Sequence, residues 1–324
     1  MTLDEALNHA LYASSEREEF WFRRVNKAID RLNIARHHRK TLDALLFDRV
    51  VPAQLPMSNQ HVRNASRRAF IETVIARRRL EPSIPLLFLT FAGSRGATVL
   101  SSPEFDMVAF QRAVYACLRR HGLSGMFSFE FDVVLRRPPE TDWTVLFHCH
   151  GIASPVEPDR FNIKPIRESM AKSAAFPVWD GAAGTNIKIL GSRHIDASRA
   201  SVYLCDPFHQ LKRVQPHKTK PDRHVMRSTR DKLTPGLAIR ATEIQSYLPV
   251  RDTVFGVGDV GVELRRQWLQ CLADHLPVEA SQGPSLLPSE VAQLWHHVHA
   301  QGSLQAPSGP ISIVTRSAML RTRQ

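Results

Sequence analysis

Cysteine is scarce in this chain and never closely paired. Cys117, Cys149, Cys205 and Cys271 form no C-x-x-C motif, which excludes both a disulfide framework and a cysteine-built zinc site. Long apolar runs are missing too. No stretch approaches the roughly 18 residues needed to cross a bilayer, and the N-terminus, MTLDEALNHALYASSEREEF, has no basic region followed by an apolar core. The expected location is therefore a reducing cytoplasm, with no membrane partner. Internal repeats are absent. The one glycine-rich stretch, FGVGDVG at 255–261, lacks the lysine and the full spacing of a phosphate loop and reads as a tight turn before a helix. Acidic residues are in deficit: 31 Asp plus Glu stand against 43 Lys plus Arg, a net charge of +12. Such a surface attracts polyanions, nucleic acid first.

With 324 residues, 43% of them hydrophobic, the chain can bury one substantial core with extensions. Residues 1–80 read as a basic helical N-terminal region. Phe20, Phe22, Val25, Ile29 and Leu32, then Leu42, Leu45 and Leu46, recur at helical spacing among charged residues, and a second basic helix around Arg67–Arg79 follows the break at VVPAQLPMSNQ. The core spans 85–215. LLFLTFA is short enough for a buried strand, FDMVAFQRAVYACLRRHG is an amphipathic helix ended by Gly122, and FSFEFDVVL and WTVLFHCHGIA are adjacent antiparallel strands. RFNIKPIRESMAKSA, NIKILG and DASRASVYLC add a helix, a strand and a helix. This order predicts an α+β fold, an antiparallel sheet with helices on one face. Residues 216–278 read as a basic C-terminal region, irregular through KTKPDRHVMRSTRDK and then helical over Arg240–Leu248 and Val262–Leu272. Residues 279–324, rich in Ser, Gly and Pro, read as a flexible tail apart from a short helix near Trp295. The basic stretches 16–79 and 212–232 are expected to supply phosphate contacts.

Side chains two apart in a strand share a face, so His148 and His150 point together while Cys149 points the other way. Glu130, on the neighbouring strand, is a carboxylate among large apolar residues and so needs a reason to be there. Two imidazoles and one carboxylate make a metal site with open positions, suited to Mn²⁺ or Mg²⁺. A second His-x-His pair, His297 and His299, falls in a helix, where that spacing puts the rings on roughly opposite faces.

Taken in order, LLFLTFA, the FEF around Glu130, LFHCHGIA and VYLCDP resemble the motifs of rolling-circle replication initiators of plasmids and phages, members of the HUH endonuclease superfamily with an RRM/ferredoxin-like core. The resemblance covers about residues 85–215. It implies that Tyr203, one of only four tyrosines, is a nucleophile that nicks single-stranded or hairpin origin DNA and forms a 5′-phosphotyrosine link. Host replication proteins are the protein partners such an initiator would take. The chain departs from the family at Asp206, where a lysine is usual; Arg199, one helical turn before Tyr203, or Lys212 could supply the missing charge. A single-tyrosine transposase, a relaxase or a catalytically inactive DNA-binding relative are the alternatives. Relaxases generally place their tyrosine before the histidines, unlike Tyr203.

Overall fold

Alternating apolar residues in the middle of the chain pair into one sheet, and amphipathic helices from both ends close over it. The computed structural model describes residues 2–32, 34–50, 54–135, 143–191, 193–203, 210–217, 220–232, 234–277, 288–301 and 309–316. In chain order these form α1 (Leu3–Ile29), α2 (Arg36–Leu46), α3 (Gln60–Leu80), β1 (Leu87–Phe91), β2 (Ala97–Val99), β3 (Glu104–Asp106), α4 (Met107–Arg120), β4 (Leu123–Leu135) and β5 (Trp143–Pro155). There follow α5 (Ile163–Ala171), β6 (Thr185–Ile189), α6 (His194–Tyr203), β7 (Gln210–His217), β8 (Lys220–Lys232), α7 (Pro235–Ser246), α8 (Val250–Thr253), β9 (Val254–Val257), α9 (Gly258–His275), α10 (Pro288–Gln301) and β10 (Ser312–Val314).

Local chemistry sets several helix starts. Thr2 and Glu5 form a reciprocal capping box on α1, Asn59 caps α3 and Asp106 caps α4, each satisfying amide groups that a helix N-terminus leaves without partners. The fold is α+β, as expected. Its eight-stranded sheet is mixed but mostly antiparallel, in the order β6-β1-β5-β4-β7-β8, with β2 also pairing β5 and β9 also pairing β4. β7 runs parallel to β4, and a separate parallel pair joins β3 to β10.

The helices are not confined to one face. Phe127, Phe129, Phe131, Val145, Phe147 and Cys149 turn into the larger apolar cluster, with Phe110 of α4, Ile244 of α7, Trp295 of α10 and Trp21 of α1. On the opposite face Phe88, Met126 and Ile152 pack with Phe70 of α3 and Trp268 of α9. Both faces of the central strands carry apolar side chains, so both need cover.

Other expectations need correction. The segment KTKPDRHVMRSTRDK, read as irregular, lies largely in the hairpin β7–β8. Its side chains show little apolar alternation because backbone pairing at the sheet edge builds it, with Leu211 and Val214 as its buried anchors. At FGVGDVG the expected helix follows, as α9 from Gly258 at φ +68°, but the residues before it belong to strand β9, which pairs with β4. The helix expected near Trp295 is α10, and it buries that ring, whose Nε1 donates to Ser246 Oγ at 2.8 Å. The N-terminal region is helical, as expected, but part of its basic charge faces inward. Arg63, Arg67 and Arg78 of α3 are buried, and Arg78 donates to the Gly191 and Ile84 carbonyls. None of the helices formed by the described residues is long and apolar enough to cross a membrane.

α9 crosses β4 at glycine against glycine: a Cβ on Gly261 would run into the Gly125 carbonyl oxygen. Gly261→Ala should therefore cost about 3 kcal/mol, as overpacked sites do. Val262→Ala, on the exposed side of the same helix, should change stability by less than about 0.5 kcal/mol. Urea denaturation midpoints of the two variants test this; equal midpoints would contradict it.

Candidate metal centre

Along one face of β4 the side chains run Met126, Ser128, Glu130, Asp132, Val134, and along β5 Leu146, His148, His150, Ile152. Met126 and Ile152 belong to the apolar patch under α3 and α9, while Val134 and Leu146 belong to a second patch with Trp179 and Val214. A polar strip lies between them. Cross-strand register places Glu130 opposite His148, and His150 between Ser128 of β4 and Thr90 of β1. His148 and His150 are only 4% and 5% exposed.

Ligand atoms of Glu130, His148 and His150 all lie within 4.8 Å of one another, the spacing at which one cation can be shared. The ring orientations suit that use. His148 Nδ1 lies 3.0 Å from the Leu146 carbonyl oxygen; a carbonyl can only accept, so Nδ1 carries the proton and Nε2 carries the lone pair. That Nε2 stands 3.9 Å from Glu130 Oε2. On His150, Thr90 Oγ1 sits 2.8 Å from Nδ1, a contact that fixes the ring and points it to offer Nε2.

Electrostatics favour neutral rings. Burial pushes the His148 pKa below its ordinary value, with the nearby Asp132 carboxylate only partly opposing. His150 is driven well below by burial first, then by His148 and Lys212. Both imidazoles therefore keep their lone pairs at neutral pH. Burial raises the Cys149 thiol well above its usual value on the opposite face, so it stays an inert core group.

Sequence reasoning placed Glu130, His148 and His150 together, and the structure does the same. It also brings Lys212 of β7 to this strip: its Nζ lies 2.6 Å from Asp132 Oδ2, which in turn is 3.7 Å from His148 Nε2. Asp132 was missed, although its even position on β4, two residues from Glu130, marks it for the same face. Arg199 is exposed on α6 and lines an open cleft with Thr90, Asn186 and Lys188, so it shares a wall with the residue that orients His150. Tyr203 is the last residue of α6; its side chain lies outside the described residues, as do Asp206 and the segment 136–142 with Arg136 and Arg137. His297 and His299 do not chelate: His299 Nε2 meets Glu243 Oε2 at 2.7 Å, and the His297 ring stacks on His38.

Replacing either histidine with Gln should weaken Mn²⁺ binding more than about 100-fold, and removing the Thr90 hydroxyl by Thr90→Val about tenfold, read as free Mn²⁺ by electron paramagnetic resonance. The pH dependence follows from the depressed histidine pKa values. Protons compete for the rings only below the ordinary imidazole value of about 6.5, so affinity should stay flat from pH 8 to that point and fall below it. A decline already under way above pH 7 would count against neutral, buried ligands.

Comparison of the chain with protein-family models, with curated proteins and with solved structures finds no match in any of the three.

Proposed function

We propose that this chain is a site-specific single-strand DNA nicking and joining enzyme of the HUH type that starts rolling-circle replication of a plasmid or phage. The observation that carries the reading is the buried Glu130/His148/His150 group, neutral at its imidazoles and set on a sheet face beside Lys212. Two nitrogens and one carboxylate oxygen suit Mn²⁺ or Mg²⁺ in a cell. Such an ion supplies polarisation of a non-bridging phosphate oxygen.

The chain's own residues do the rest. Glu130, His148 and His150 fix the position at which a phosphate is held, and Thr90 keeps the His150 ring in place. Tyr203 contributes the nucleophile: its oxygen bonds to phosphorus, the bond from phosphorus to the 3′ oxygen breaks, and a 5′-phosphotyrosine link and a free 3′ hydroxyl result. The phenolic proton leaves the tyrosine and the departing 3′ oxygen gains one. Reversal of the same exchange joins ends. Lys212, held by Asp132, brings positive charge to the strip from the strand that follows the α6 helix, and stands in for the lysine replaced by Asp206. Arg199 and Lys188, exposed around the adjoining cleft, offer phosphate contacts for the strand that leads to it.

A catalytically silent DNA-binding relative is the second reading, favoured by Asp206 alone. The two separate in a nicking assay on single-stranded DNA with Mn²⁺, read by a covalent protein–DNA adduct. Tyr203→Phe should abolish the adduct and leave DNA affinity within about twofold, because it removes only the attacking oxygen. Lys212→Ala should slow adduct formation by about 100-fold, as loss of one charge-stabilising donor does. An adduct that persists in Tyr203→Phe and maps to Tyr115 or Tyr247 would overturn the assignment. No adduct on any single-stranded substrate would favour the silent relative.

A further inference from the structure

A second polar cluster lies behind Glu130, and the proposed chemistry leaves it without a use. Glu18 of α1 is 1% exposed and binds two arginines of α3: its Oε1 lies 3.2 Å from Arg63 Nε and 3.0 Å from Arg67 Nη1. Arg67, itself 2% exposed, also donates from Nη1 to the Ser14 carbonyl at 2.9 Å. Among the described residues its Nε and Nη2 find no acceptor, and neither Glu18 Oε2 nor Gln245 Oε1 finds a donor. Buried guanidinium groups normally have their donors satisfied, so these atoms call for a partner beyond the described residues, water or a bound anion.

Glu18, Arg63, Arg67 and Gln245 line one cavity of about 40 Å³, whose wall also holds Ser66, Ser128 and Glu130. A single water needs roughly 10–15 Å³ by the same measure. The space therefore admits about three water-sized atoms, the number of terminal oxygens on a phosphate monoester. Charge decides between water and an anion. Arg63 and Arg67 against Glu18 leave one positive charge in excess, which the negative charge of Glu130 offsets as long as no cation is bound to that carboxylate. With a divalent cation on Glu130 and two neutral imidazoles, that cancellation is lost and the cavity wall becomes strongly positive. Leaving such charge buried without an anion would be costly.

We propose that this cavity is an oxyanion site, filled by a phosphate group against Arg67 when a divalent cation occupies Glu130, His148 and His150. The proposal rests on the metal-binding part of the function proposed above and not on its nicking chemistry. It gives α1 and α3, which lie outside the resemblance to the initiators, a direct part in the site. The phosphate could be free or part of a DNA backbone; the chemistry recognised is the same.

The test uses the full chain with one equivalent of Mn²⁺ and inorganic phosphate as the probe, read by paramagnetic enhancement of ³¹P relaxation, with Mn²⁺ affinity measured separately by electron paramagnetic resonance. A saturable enhancement that EDTA abolishes is expected. Arg67→Lys keeps the charge and loses the fork of donors, so it should weaken phosphate about tenfold or more while Mn²⁺ affinity stays within about twofold. Where Arg67→Lys does not fold, Glu18→Gln decides: removing the competing carboxylate charge should tighten phosphate severalfold, and unchanged or weaker binding overturns the proposal. No saturable enhancement in the wild-type protein with Mn²⁺ bound also overturns it, as does unchanged affinity in a folded Arg67→Lys. Competition by dimethyl phosphate assigns the site to a DNA backbone, and its absence to free phosphate; either supports an oxyanion site. Nicking lost with phosphate binding intact would sink the enzymatic reading alone, whereas nicking intact without phosphate binding would sink this inference alone.

Discussion

Everything at the candidate site depends on the register between β4 and β5. With Glu130 opposite His148, three ligand side chains meet on one face; a slip of one residue on either strand would send that strand's share into the aromatic core on the other side. A packing feature holds the register. Gly151 stands opposite Phe127, and the aromatic ring occupies the space where a Cβ on that glycine would sit. The same ring contacts Phe91 and Phe255 in the core. Sliding the strands would pull a large apolar side chain out of three-sided contact and press it against a residue with a side chain. The ligands are thus held by packing on the face they do not occupy.

This explains what was legible in the sequence. Strand parity depends only on the two-residue repeat, so the shared face of His148 and His150 and the odd carboxylate at Glu130 could be read directly. Asp132 obeyed the same parity, but its neighbour Lys212 comes from a strand 80 residues further on, and no local pattern announces a partner at that distance. The hairpin β7–β8 escaped for a related reason: edge strands are held by backbone hydrogen bonds, which leave no apolar signature. The sequence pattern reads as a basic helical region; both α1 and α3 are helical, but the excess of basic residues lies in α3, while α1 has about as many acids as bases. What it could not show is that Glu18, Arg63 and Arg67 turn inward, since a charged residue on the inner side of a helix is visible only once the opposing surface is known.

The N-terminal helices consequently belong to the same body as the sheet. α3 packs along α9, whose own sequence lies near the other end of the chain, and Trp268 Nε1 reaches back to the Ser66 carbonyl at 3.1 Å. One face of the sheet therefore carries a polar strip framed by two apolar patches and roofed by helices drawn from both termini. Burying a carboxylate and two guanidinium groups in that roof is expensive, and their mutual pairing only partly offsets the loss of water. A fold that keeps such a cluster beside Glu130, a carboxylate of the group that could hold a metal, has given up stability there.

Glu130, His148 and His150 all come from two consecutive strands, joined by seven intervening residues, whereas the helices that cover them are far apart in the chain. Closing a short loop loses little chain entropy, and closing a long one loses more. Bringing β4 to β5 is therefore the least costly closure at the site, whereas the contact of α3 with α9 joins segments from opposite ends of the chain.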